Sequence, residues 1–338
     1  MKNWKLTALV PLLLAACASA PTVADLAKHP DMRAFIAEMA RRHQFDPARL
    51  ESWFKQARVR SDIIATISRP AESKPWYQYR PIFLQPGRID GGVAFWNEHA
   101  ALLERAEQAY GVPPQIITAI LGVETRYGSR QGDYRVIDSL VTLAFNYPPR
   151  AAFFKQELEQ YLLLTREEGM DPLSLTGSYA GAMGQTQFIS SSFRHYAVDF
   201  DGDGRRDLWN DAADAIGSVA NYFKEHGWER GGIVAVPAAV AGNDYPALVA
   251  AGLKPNAPVS EMKRRGVTPQ AALPDDALAA LVEFEQKDGR EYWLGMQNFY
   301  AITRYNHSPL YAMAVYQLSE EIRAAHGRQS AVTAEARP

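Results

Sequence analysis

The sequence predicts a mainly α fold (α+β) with one small strand-containing insert, and three observations carry that prediction. The chain has 338 residues, 47% of them apolar and 22% charged, enough to bury a substantial core. Apolar residues recur at three- and four-residue intervals before residue 230 and again after residue 295. Between them the spacing is lost, and turn residues such as Lys287-Asp288-Gly289 separate short apolar runs.

In chain order, Lys2 and Lys5 precede an apolar run from Leu6 to Ala16 that is too short to span a bilayer as a helix, so residues 1–16 read as a secretory signal. Leu14-Ala15-Ala16-Cys17 resembles the lipobox of bacterial lipoproteins, which makes Cys17 the lipidation site. Ala18 rather than Asp follows it, which by that resemblance favours the outer membrane and its periplasmic face. Cys17 is the sole cysteine, so no intramolecular disulfide can form and an exported fold must rely on its core or on a metal. Residues 17–30, small and with two prolines, read as a tether.

Residues 31–110 form an N-terminal helical domain. Met32, Phe35, Ile36 and Met39 share one face, and Asp46-Pro47 opens a second helix with Leu50, Trp53 and Phe54. Pro70 to Pro86 reads as a proline- and aromatic-rich loop, and Gly91 to Tyr110 as one further helix. The formal net charge of −2 offers no footprint for a polyanion, which excludes nucleic acid as a partner. The seven histidines are dispersed, and HExxH, Gly-x-Ser-x-Gly and Walker patterns are missing, which disfavours zinc, serine-hydrolase and nucleotide chemistry.

Residues 111–230 hold the chemistry. Pro113 and Pro114 suit a first helical turn, and Ile116, Ile117, Ile120 and Leu121 draw an apolar stripe that Glu124 continues. Gly128 is expected to stop this helix, setting Glu124 near the negative end of the helix dipole on a buried face. Both conditions favour a protonated carboxyl, as a general acid requires. The competing reading is a structural carboxylate paired with Arg126 or Arg130. Ser178 to Phe188 is dense in small residues that let a bulky ligand approach backbone, and Gln187 offers an amide to sugar hydroxyl or acetamido groups.

Gly122-Val123-Glu124-Thr125-Arg126-Tyr127-Gly128, Phe145-Asn146-Tyr147-Pro148, the Ser178 to Phe188 run and Arg304-Tyr305-Asn306 resemble the lytic murein transglycosylase B family, in order from about Arg33 to Leu318. The resemblance implies a lysozyme-like helical core acting on peptidoglycan glycan strands at the β-1,4 bond between N-acetylmuramic acid and N-acetylglucosamine. A single Glu, here Glu124, protonates the leaving oxygen and then deprotonates the muramyl C6 hydroxyl, leaving a 1,6-anhydro end. Two-carboxylate glycosidases need a second acid roughly 5 Å or 6.5–9.5 Å away. Asp133 lies in a Gly-flanked loop and Asp138 reads as an N-cap for a helix from Ser139 to Phe145. A hydrolytic muramidase would recruit one of them, and a non-catalytic peptidoglycan-binding lipoprotein would need neither. Tyr79, Asn146, Tyr147, Ser178, Gln187, Tyr222, Tyr305 and Tyr311 are the candidate substrate contacts, the tyrosines because sugar C–H faces stack on aromatic rings. Cell-wall synthases or amidases are the protein partners such a role implies.

Asp199, Asp201, Asp203 and Asp207 with Gly204 follow the start of an EF-hand-like calcium loop, the Arg205 carbonyl supplying a further ligand. The twelfth position is Asn210 instead of Glu. By the family resemblance a later Asp closes the loop; that residue is Asp214, with Asp211 in competition, and the calcium is structural. Residues 231–294 form a small mixed β module, residues 295–328 C-terminal helices that complete the cleft, and residues 329–338 a disordered tail.

Overall fold

The computed structural model describes residues 30–68 and 74–335, and within them helices occupy the stretches before residue 230 and after residue 295 where helical spacing was read. The signal, Cys17 and most of the tether lie outside the described residues. Pro30–His43 buries Met32, Phe35, Ile36 and Met39, and Asp46 caps Pro47–Gln56 by accepting from Ala48 N at 3.0 Å. Ser61–Ile67 follows. The expected loop from Pro70 to Pro86 instead contains a helix, Trp76–Phe83. Pro75 presets its start, and Trp76 and Tyr79, three apart, drive one face inward; burial outweighs the cost of Pro81 in so short a helix. The expected single helix from Gly91 to Tyr110 is two, Pro86–Glu98 and Ala100–Tyr110, broken at His99, whose ring packs on Phe95 at 4.5 Å.

Pro114–Thr125 is buried almost throughout and runs through the centre of the core. Ala212–Glu225 packs on it, and Ser190–Tyr196, Ala151–Glu167 and Val136–Asn146 follow in series, each packed on the one before. A two-residue antiparallel pair, β1 (Tyr134–Arg135) with β2 (Thr176–Gly177), pins the loops between them.

The strand-containing part is a five-stranded antiparallel sheet built from β3 (Ala235–Val240), β4 (Ala257–Pro258), β5 (Val267–Pro269), β6 (Leu278–Gln286) and β7 (Gly289–Gly295) in the order β4-β6-β7-β3-β5. The Lys287-Asp288-Gly289 turn joins the β6–β7 hairpin, with Gly289 at φ +126°. Strand alternation sends Leu281 and Leu294 into a small local core with Leu248, Val259 and Met262, and sends Val282 and Phe284 into the main core against Trp76.

Pro309–Glu335 closes the chain against Pro114–Thr125, and Gln297–Tyr305 packs on Pro309–Glu335. The last helix thus continues past residue 328, where a disordered tail was expected. Its apolar stripe ends near Ala325, but Ala, Gln and Glu still favour helix. No helix among the described residues is long and apolar enough to cross a membrane.

Candidate active site

The helix bearing Glu124 ends at Thr125, earlier than Gly128. Arg126, Tyr127 and Gly128 are all left-handed, at φ 50°, 59° and 81°. Arg126 N donates to Gly122 O at 3.2 Å and Tyr127 N to Leu121 O at 3.0 Å, so the turn satisfies the terminal carbonyls. Two consecutive non-glycine residues in this region cost of order 1 kcal/mol each, and side-chain packing has to hold them there. Thr125 Oγ1 takes part, donating to Gln185 O at 3.0 Å and accepting from Gly128 N at 3.0 Å.

Glu124 is half-buried, and its Oε1 accepts from Tyr311 Oη at 2.5 Å. Arg126 and Arg130, its alternative partners, are exposed. The Tyr311 ring lies parallel to Tyr305 at 6.4 Å, and Tyr305 packs on Tyr222 at 4.8 Å. Tyr305 Oη donates to Thr186 O and Tyr222 Oη to Arg304 O, both at 2.6 Å. Burial first, and the Glu124 charge second, push the Tyr305 and Tyr311 phenols well above the usual tyrosine range; burial likewise raises Tyr222. The wall beside Glu124 is therefore made of protonated phenols, which donate hydrogen bonds and cannot serve as bases.

Tyr222, Tyr305 and Gln187 line one groove of about 810 Å³, together with Phe188, Tyr196 and Arg304. Gln187 sits at φ 51°, its amide nitrogen donating to Gln131 O and Gly184 O at 3.0 Å each. Asn146 and Tyr147 are half-buried at the end of Val136–Asn146, and the buried Asn146 Nδ2 has no hydrogen-bond partner. Ser178 Oγ is occupied within the turn, accepting from Ala182 N at 3.0 Å and Ala180 N at 3.3 Å, so its hydroxyl shapes the loop. Tyr79 is 2% exposed, stacks on Trp76 with Phe83 tilted against it at 5.1 Å, and belongs to the core behind Tyr311, not to a face that a sugar can reach. Arg150, His195 and His226 also line the groove, and the sequence held no periodic or motif signal for them.

Asp138 is not an N-cap. It lies inside the first turn of Val136–Asn146, where its carboxylate accepts from Arg58 N at 2.8 Å and pairs with Arg135 at 2.8 Å. The helix begins three residues earlier than expected because Val136 and Ile137 are wholly buried. Asp133 is exposed.

The acidic loop folds as its spacing demands: Asp199 accepts from the backbone N–H of Gly202, Asp203 and Gly204. Asp199, Asp201 and Asp203 converge, and Asp201 also converges with Asp211 and Asp214. Asp211 caps Ala212–Glu225 through Ala213 N at 2.6 Å, whereas the buried Asp214 accepts from Phe200 N and Asp207 N at 2.7 Å. Burial pushes the Asp214 carboxyl upward against those two N–H groups, with Asp211 and Asp201 pushing the same way. Such a gathering of like charges fits a hard divalent cation with oxygen ligands.

The transglycosylase SLT domain family matches residues 27–320. The membrane-bound lytic murein transglycosylase B of Escherichia coli is 46% identical over 308 residues, 88% of this chain and 84% of that protein. Among solved structures, soluble lytic transglycosylase SltB1 from Pseudomonas aeruginosa is 51% identical with a TM-score of 0.83, over 88% of this chain and 100% of that one. The E. coli lytic transglycosylase Slt35 in complex with calcium is 45% identical with a TM-score of 0.81, over 89% and 95%. SltB3 from P. aeruginosa in complex with NAG-anhNAM-pentapeptide is 33% identical with a TM-score of 0.76, over 87% and 79%.

Proposed function

This chain belongs to the transglycosylase SLT domain family and is a peptidoglycan lytic transglycosylase with a lysozyme-like fold, and from that premise we propose that Glu124 is its single acid and base. The observation that carries the assignment is the setting of Glu124 against the protonated phenol of Tyr311, while Asp138 is tied to Arg135 and Arg58. The protonated carboxyl gives its proton to the glycosidic oxygen as the bond to the muramyl C1 breaks. The resulting carboxylate takes the C6 hydroxyl proton as O6 closes on C1, so water does not enter the product. Tyr311 steadies the carboxyl between these two steps, the substrate's own acetamido group meets the positive charge at C1, and Gln187, Asn146, Tyr147, Tyr222 and Tyr305 hold the sugars.

The acidic loop is proposed to bind a structural calcium through Asp199, Asp201, Asp203, the Arg205 carbonyl and Asp214, with Asp211 engaged as the helix cap. Its role is to neutralise charges that would otherwise repel. The lipobox-like Leu14-Ala15-Ala16-Cys17 supports a lipid anchor at Cys17 that holds the enzyme on the periplasmic face of the outer membrane. Mass spectrometry of muropeptides released from sacculi by the protein beginning after Cys17 tests the mechanism, with Glu124→Gln alongside. Fragments one water lighter than hydrolysis products and resistant to borohydride are expected, with a loss of about 10³-fold or more in Glu124→Gln. Reducible ends, or full release by Glu124→Gln, would overturn it.

A further inference from the structure

Arg88, in the helix Pro86–Glu98, is only 9% exposed and pairs with no carboxylate in any ion pair among the described residues. Its guanidinium instead reaches the carbonyl end of the glutamate helix, Nη1 donating to Gly122 O at 2.7 Å and to Val123 O at 3.4 Å. The Arg88 backbone is engaged as well, its carbonyl accepting from Tyr127 Oη at 2.6 Å. Tyr127 is three residues beyond Glu124, and its left-handed backbone folds the ring back beneath the turn. Three glycines make room for that ring: a Cβ on Gly91 would lie 2.9 Å from it, and one on Gly92 or Gly122 would lie 2.7 or 2.6 Å from its hydroxyl. Phe95 stacks on the same ring at 5.7 Å, and Phe83 lies 5.1 Å from the Arg88 guanidinium carbon. One residue thus grips the turn on both sides of Glu124, with its side chain before it and its carbonyl behind it.

Stability alone is a poor reason for such an arrangement. Burying a cation without an anion costs several kcal/mol before hydrogen bonds offset it, and an apolar residue would fill the volume more cheaply. What one nitrogen shared between two carbonyls supplies is a fixed position for groups that otherwise fray, together with restraint of two strained left-handed residues. A carboxyl that must serve a glycosidic oxygen and then a C6 hydroxyl tolerates little displacement, since an error of 1 Å costs about 10²-fold in rate. We infer that Arg88, clasped by Tyr127, is a positioning residue that fixes the last turn of the glutamate helix and so the reach of Glu124. The inference rests on Glu124 being the acid and base.

The test measures kcat and KM on soluble uncrosslinked glycan strands, well below each variant's Tm, for wild type, Arg88→Met, Arg88→Lys, Tyr127→Phe and Glu124→Gln. Arg88→Met is expected to lower kcat about 30-fold with KM within about twofold, and Arg88→Lys, which can still reach one carbonyl, to recover about a third of the wild-type rate. Tyr127→Phe keeps the ring in its slot and loses one hydrogen bond; it is expected to lower kcat about fivefold at unchanged KM, and it carries the test if Arg88→Met does not fold. Folded Arg88→Met or Tyr127→Phe with wild-type kcat would overturn the clasp, as would a loss that Arg88→Lys fails to recover and that follows Tm. Turnover by Glu124→Gln would instead remove the reading of Glu124 on which the clasp depends.

Discussion

Two phenols set around one carboxyl make the proton balance of the site sensitive in one direction. Tyr311 is buried and Tyr305 half-buried beside Glu124, and both hold their protons well above the usual tyrosine range. A group whose folded proton affinity exceeds its unfolded value, about 10 for tyrosine, contributes stability that is fully present below that pH and is lost as pH rises through the folded value. Urea midpoints should therefore be level from about pH 7 to 9 and fall above about 10, with a shallower fall in Tyr311→Phe, which has one such phenol fewer. A Tyr311→Phe curve parallel to wild type would show that this phenol is not protected by the fold. At this scale the sequence pointed to Glu124 and Tyr305 because each stands inside a motif, and the structure sets the two side by side. Tyr79 sits in a matching segment but is turned into the core by Trp76, and Arg88 carries no signal because its partners lie 34 and 35 residues away.

The acidic loop and the glycine-rich loop meet at backbone level. Gln185 N donates to Leu208 O at 2.7 Å, and Gln131 Nε2 donates both to Trp209 O at 2.9 Å and to Gly128 O at 3.1 Å. Gly184 is needed at this junction, since a Cβ there would lie 2.5 Å from Leu208 O and its φ is +66°. The end of the acidic loop is therefore one strut away from the turn after Glu124. Chelation with EDTA should lower Tm by several degrees, and Asp214→Asn, which removes a ligand, should shrink that drop, a shift of about 4 °C corresponding to about 1 kcal/mol or more for a chain of this size. An identical Tm before and after chelation would remove calcium from the account. Spacing alone picked out this acidic loop because its Asp-Gly turn, with Asp199 accepting from Gly202, Asp203 and Gly204, is a local pattern. The helix at Trp76–Phe83 was hidden because its start signal is a proline in a run of prolines, and only tertiary burial of Trp76 and Tyr79 reveals it.

On the scale of the whole molecule, the sheet is tied to the helical body through one face of β6, through Trp293 of β7 against Tyr316, and through Tyr316 Oη, which donates to Ala235 O of β3 at 3.3 Å. Phe284 is fully buried with its ring 5.2 Å from Trp76, while Leu281, on the opposite face, packs into the sheet's own small core. Alternation along a single strand thus serves two cores, and a one-residue slip would exchange them. That division predicts a separation of effects. Phe284→Ala should cost about 3–5 kcal/mol of stability through the cavity it leaves against Trp76. Leu281→Ala should cost about 2–5 kcal/mol but loosen the sheet first. Hydrogen exchange distinguishes the two, because Phe284→Ala weakens the joint itself and should raise exchange in both Trp76–Phe83 and β6–β7, whereas Leu281→Ala should raise it in β6–β7 alone. Equal exchange in both variants would mean that the sheet and the helices unfold as one cooperative unit, and that the two apolar clusters are a division of packing without a division of stability.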